Sequence, residues 1–279
     1  MTHLLRSPSQ LVNPLARQRF LGFGTAPGGA AFVGALDAYE SIIDGAWSVA
    51  KRLFASHTGA LNTIRRSSGG EQDFSATDSG ILDTDAADAY IGAGSGNIVR
   101  IYAQKSGLNA AQSTASAQPL YSSLAASFDG INDVLSLGGN VGTATSPSLF
   151  IALNAVSTGS SYTTVAMMRA TRLHSRLSTN VYGTFTSADQ GAGEALPTAV
   201  NQVISIVNNA GTWQIRRNGT TIATISGTSG NLNSYNSSFG ADLNFSRFFQ
   251  GSIQTVIQTT SSALNLTQIA AIENAIAWV

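Results

Sequence analysis

The sequence contains no cysteine. Disulfides and thiolate metal sites are thereby excluded, and thiol usage says nothing about compartment. Charge is scarce as well: 15 Lys and Arg against 15 Asp and Glu make up only 11% of 279 residues and cancel to a formal net charge of zero. Binding nucleic acid by neutralising phosphates needs a dense field of Lys and Arg, so that class of partner is not expected. No run of eighteen apolar residues occurs, so no membrane partner is expected. The opening stretch MTHLLRSPSQLVNPLARQRF has Arg and Pro where a secretory signal needs an apolar segment. His3, His57 and His174 lie far apart, without the i,i+4 spacing or nearby acid of a metal or base site. No cofactor is implied.

What is present is Gly, Ser, Thr, Asn and Ala, a turn-rich and strand-friendly mixture. Globular domains usually carry about 25% charged residues. A surface this poor in charge predicts burial against other subunits, and we expect a homo-oligomer.

Residues 1–34 show neither helical nor strand period, and Pro8, Pro14 and Pro27 punctuate them. Arg6, Arg17 and Arg19 have no acid nearby, while Phe20 and Phe23 are too apolar for a solvated tail. The stretch reads as an extended arm that docks on a neighbouring subunit. Leu36, Tyr39, Ile43, Trp47, Ala50 and Phe54 then recur at helical spacing, which predicts an amphipathic helix over 36–54 or a helix pair broken at Gly45. Strands are expected at 60–65, 72–74 and 97–102, with a short helix at 83–91. From residue 125 the period changes to two, predicting strands at 126–128, 134–137, 148–155, 163–169, 173–177, 199–208, 211–217, 220–225 and 248–259, with Asn218-Gly219 as a hairpin turn. NLTQIAAIENAIAWV predicts a C-terminal amphipathic helix, capped by Asn265 with Gln268 three residues on.

Three strings carry a resemblance. KRLFASHTGALNTIRRSSGGEQDFSATDSGILD and GNIVRIYAQKSGLNAAQSTASAQPLY resemble the opening of the catalytic domain of the α-L-arabinofuranosidase B family. AASFDGINDVLSL is similar to the first strand of a concanavalin-type, laminin-G-like β-sandwich. The resemblance implies a mainly β chain: an antiparallel concanavalin-like jelly-roll β-sandwich over 125–279, preceded by a helix-plus-strands segment over 35–124. The alternative division takes 35–279 as one compact domain. Pieces in this order are familiar in bacteriophage structural proteins. We therefore expect location in the virion, with other virion proteins as partners, as a capsid decoration, head-fibre-like or tail component that presents a glycan-binding sandwich to a host surface.

Activity is not expected to follow the resemblance. Retaining glycoside hydrolysis needs two carboxylates about 5 Å apart, and the nucleophilic Glu of that family sits in a G-H-M-E-like string that this chain lacks. The family's Y-D-Q-S-G turn is altered to Tyr102-Ala103-Gln104-Lys105-Ser106, without its Asp. After Asp133 the carboxylates are Asp189, Glu194, Asp242 and Glu273, the first three read as loop residues. No catalytic residues are therefore named. A divergent hydrolase using Asp189 or Glu194 stands as the alternative.

For sugar binding, the candidates are Asn231, Asn233, Tyr235 and Asn236, a polar loop with one aromatic face. Trp213 reads as core, and Trp47 and Trp278 as packing on helix faces. Gly92-Ala93-Gly94-Ser95-Gly96 precedes a strand instead of following one, so it reads as a loop and not a phosphate cradle. Asp129 and Asp133 have two readings: turn residues that accept loop amides, or calcium ligands of a loop type. The turn reading has the greater weight, because no second acidic cluster completes a shell.

Overall fold

A computed structural model describes residues 31–141, 148–157, 162–168, 171–176, 180–184, 189–191, 196–209, 212–226, 237–242, 247–260 and 263–279. The expected arm, with Arg6, Arg17, Arg19, Phe20 and Phe23, lies outside them, as does the loop of Asn231, Asn233, Tyr235 and Asn236.

The early strands are β1 (Ile43–Ser48), β2 (Ala60–Arg66), β3 (Glu71–Ser75), β4 (Gly96–Ile101), β5 (Ala103–Lys105), β6 (Ala110–Ala111), β7 (Leu120–Ser122), β8 (Ala125–Asp129) and β9 (Leu135–Ser136). They are followed by β10 (Leu149–Ser157), β11 (Tyr162–Met168), β12 (Thr171–Arg176), β13 (Asn180–Thr184), β14 (Asp189–Gly191), β15 (Asn201–Asn209), β16 (Thr212–Arg217), β17 (Thr220–Ser226), β18 (Ser238–Phe239) and β19 (Gln250–Thr259). Helices α1 (Thr84–Ile91) and α2 (Leu266–Ala275) complete the chain. No helix among the described residues is long and apolar enough to cross a membrane.

One sheet runs β5-β1-β19-β10-β15-β16-β17. The other runs β3-β2-β4-β6-β9-β18-β11-β12-β13-β14. β7 and β8 join them, since β7 pairs with β4 and β8 pairs with both β7 and β19. Every one of these ladders is antiparallel, and strands from both sides of residue 125 share one core within the compact unit Phe32–Val279.

Alternation along the strands decides which layer each side chain enters. Leu149, Ile151 and Leu153 of β10 point into the space between the sheets, as do Ile204 and Ile206 of β15. There they meet Leu61, Ile98, Met168 and Phe239 from the other sheet. Phe150, Ala152, Val203 and Val207 point the opposite way, where Ile269 and Ile272 of α2 and its C-cap Ile276 cover them together with Leu36, Leu53 and Phe54. A strand buried on both faces reads as a continuous apolar run, which is why β10 opens LFIAL without polar interruption.

That effect also overturns one expectation. The segment 36–54 is not a helix: a 3₁₀ turn spans Asp37–Ile42, and Ile43–Ser48 is a central strand between β5 and β19. Ala46 faces the α2 layer while Trp47 faces the inter-sheet core. The apolar spacing that mimics a helix is a strand loaded on both faces. Trp47 keeps its packing role, with its ring edge-on to Phe239 at 5.5 Å and its Nε1 donating to Leu108 O at 2.8 Å.

Local signals elsewhere hold. α1 begins at Asp83, whose Oδ1 accepts from Ala86 N, and ends at Gly92. Asn218 and Gly219 both have positive φ, +47° and +83°, as a two-residue hairpin requires. Asn265 and Gln268 form the reciprocal capping box of α2. At the other end of α2, Lys51 Nζ donates to the carbonyls of Ala275 and Ala277; burial there pulls its pKa down from 10.5 to about 8.

Candidate functional site

Helix α2 carries an acid on its apolar stripe. Ile269, Ile272 and Ile276 are buried at i, i+3 and i+7, and Glu273 stands among them at i+4, only 5% exposed. A carboxylate so placed needs a partner. Arg216 on β16 supplies it, with Nε at 2.9 Å from Oε1 and Nη2 at 3.2 Å from Oε2. Ser205 Oγ donates to the same Oε1. Two further guanidinium donors go to Thr221 Oγ1 at 2.9 Å and Gly219 O at 2.6 Å. Arg216 is itself 8% exposed, so the pair forms a buried, internally neutralised floor.

Above that floor lies a cavity of about 450 Å³, bounded by α2 and its C-terminal extension on one side and the β15–β16 hairpin on the other. Half-buried Trp278 lines it, together with Asn201, Asn218 and Asn274, all three exposed. Asn218 Oδ1 accepts from Val203 N at 2.8 Å, and Asn201 Oδ1 accepts from Asn154 Nδ2 at 2.7 Å. Each anchored oxygen fixes its amide and leaves the NH2 group without a part in that bond. Ala270 and Ala277 keep the helical wall low. The arrangement combines a flat aromatic surface, amides and a neutral polar floor, which suits a neutral polyhydroxylated ligand.

Sequence reasoning read Trp278 as packing, and it does pack against the core layer under α2, but its place at the cavity was not read. A detectable signal was Glu273, an acid on an otherwise apolar stripe.

The Asp129–Asp133 loop lines a second cavity, of about 330 Å³. Asp129 Oδ1 accepts from Ile131 N and Asn132 N, and Asp133 Oδ2 accepts from Asp129 N at 2.9 Å. Burial pushes the Asp133 carboxyl up to about 6; the Asp129 amide opposes the shift and the Asp129 charge adds to it. No group of three His, Cys, Asp or Glu side chains able to hold a metal occurs among the described residues.

The other singled-out residues have structural partners. Gln104, from the altered turn, is buried and bridges backbone: Oε1 accepts from Leu53 N and Nε2 donates to Lys51 O, both at 2.7 Å. His57 Nε2 lies 3.1 Å from Ala60 O in its own turn. Trp213 is 1% exposed, in the core. Gly92 to Ser95 link α1 to β4 as a loop, and Gly96 is the first residue of that strand. Asp189 opens β14 and is not a loop residue, because Gly183 and Thr184 of β13 pair with this segment; Glu194 lies outside the described residues. Asp242 is buried, with Oδ2 at 3.6 Å from Arg247 Nε.

No family model matches the chain, and no curated protein matches its sequence. Among solved structures it is similar to an arabinofuranosidase complexed with arabinofuranosyl-α-1,2-xylobiose, with a TM-score of 0.65 and 14% identity. It is similar also to a GH54 α-L-arabinofuranosidase soaked with a cyclic sulfate inhibitor, with a TM-score of 0.64 and 14% identity. Each match covers 87% of this chain and 65% of the other, so the chain spans less than two thirds of those enzymes' length. The fold of this chain is an arabinofuranosidase-like β-sandwich.

Proposed function

We propose that this chain is a carbohydrate-binding β-sandwich that holds a glycan without hydrolysing it. The observation that carries the reading is the groove at α2, where Trp278 stands beside the amides of Asn201, Asn218 and Asn274. Sugars are held by such pairs, with C–H faces on an aromatic ring and hydroxyls on side-chain amides. The similar arabinofuranosidase structure carries an arabinofuranosyl xylobiose, which makes neutral pentose oligosaccharides the first ligands to try. Hydrolysis would need two carboxylates flanking one bond. Asp242 and Glu273 each face an arginine instead.

Calorimetric titration with arabino- and xylo-oligosaccharides tests the reading. Binding is expected, and Trp278→Ala should weaken it roughly tenfold while leaving the unfolding curve in place. Equal affinity in the variant would remove the groove from the proposal. Release of nitrophenol from 4-nitrophenyl arabinofuranoside would overturn its non-catalytic half.

A second reading places this sandwich in a virus particle, as a capsid decoration or tail component that assembles with itself and other virion proteins. The 11% charged composition favours it, because subunit contacts hide surface that a lone domain would solvate with charge. Quantitative mass spectrometry of purified particles tests it: hundreds of copies fit a capsid decoration, a few to a few dozen fit a tail component, and absence removes the reading.

A further inference from the structure

We propose that Glu273 sets the charge specificity of the α2 groove, making it select neutral sugars and refuse acidic ones. The inference rests on the carbohydrate reading of this groove and adds the residue that discriminates between sugar classes. Among the described residues that line the cavity, Arg216 and Glu273 are the charged ones. Their charges cancel and both side chains are buried, so the groove offers a ligand no net charge. An acidic sugar would give up the water around its carboxylate there and find no free counter-charge in return.

The hydrogen bonds of Arg216 point the same way. A guanidinium has five N–H donors. Nε and one Nη2–H serve Glu273, the second Nη2–H serves Gly219 O, and one Nη1–H serves Thr221 Oγ1. A single donor is left, whereas a fork-like grip on a ligand carboxylate needs two. Glu273 thus fills the place that the acid group of a sugar would take. Its Oε1 also accepts from Ser205 Oγ, which keeps the carboxylate seated on the arginine. Glu273→Gln retains an acceptor for Ser205 and Arg216 but presents an NH2 group in place of the second oxygen. That change releases one Nη2–H and leaves the guanidinium charge uncompensated, which converts the floor into a site for an anion.

The test is calorimetric titration of the full chain with neutral xylotriose and with xylotriose carrying a glucuronic acid branch, with circular dichroism to verify each variant's fold. The parent is expected to bind the neutral ligand roughly tenfold more tightly than the acidic one. Glu273→Gln should bind the acidic ligand roughly tenfold more tightly than the parent does, and Arg216→Met combined with Glu273→Gln should lose that gain. Equal affinity of the parent for both ligands, no gain in Glu273→Gln, or a gain that survives the loss of Arg216 would overturn the proposal. A parent that binds neither ligand would remove the carbohydrate reading; the role of Glu273 in excluding acids then stands if Glu273→Gln takes up the acidic ligand and falls if it does not. Should Glu273→Gln fail to fold, Asn274→Arg on the exposed side of the same wall decides, because it supplies a free counter-charge with the pair intact. Tighter binding of the acidic ligand by that variant supports the charge balance, and unchanged binding overturns it.

Discussion

Replacing Glu273 by alanine is expected to lower the stability of the folded chain by about 3–5 kcal/mol, because it leaves a buried guanidinium without its carboxylate. Arg216 would keep its bonds to Thr221 and Gly219 but lose both to the carboxylate. Ser205 would lose its acceptor as well. The effect belongs to the broken pair and not to ion pairing as such. The double variant Arg216→Met with Glu273→Leu, which removes both charges and keeps most of the volume, should recover much of the loss. Urea unfolding of the two singles and the double checks this. A single-variant cost below about 1 kcal/mol would mean that water reaches the pair as it does a surface bridge.

Trp47→Ala is the second large effect, expected at about 3–5 kcal/mol. The indole is 1% exposed at the contact between the sheets. Its removal takes away the edge contact with Phe239 and the donor to Leu108 O together. Trp47→Phe retains the ring and loses only the donor and part of the volume, so it should cost less than half as much. In a chain of this size each kcal/mol moves the melting temperature by about 2–4 °C, and a thermal scan should place the alanine variant about 10 °C below the parent. A shift within 2 °C would mean that the sheets close over the gap.

The two predictions also mark what the sequence could and could not reveal. The hairpin at Asn218-Gly219, the capping box of Asn265 and Gln268 and the short helix after Asp83 were legible because each depends on residues within four positions. Most strands from 148 to 259 were legible through their apolar runs. β1 was not, since burial on both faces erases the period that separates strand from helix. Short strands such as β6, β7 and β18, of two or three residues, leave too little pattern to read. The groove at α2 was hidden for a different reason. Arg216 and Glu273 lie 57 positions apart, and nothing in either neighbourhood says that they meet. Trp278 does pack on the core as its spacing suggested, and helix periodicity could not say that it also borders a cavity.

Strand β19 has an implication for the order in which the chain can become native. Along one edge it pairs with β10, and along the other it holds β8 at residues 250–253 and β1 at 255–259. Ser48 and Thr255, hydrogen-bonded at 2.8 Å, are separated by 207 positions. During synthesis, β1 therefore waits for 207 further positions of chain to be made before its central neighbour exists. Loops of that length close slowly, and meanwhile the open edge and apolar faces of β1 are available to other nascent chains. For this molecule β19 acts as a latch, and the sandwich closes only when that strand enters between partners made on the order of tens of seconds earlier.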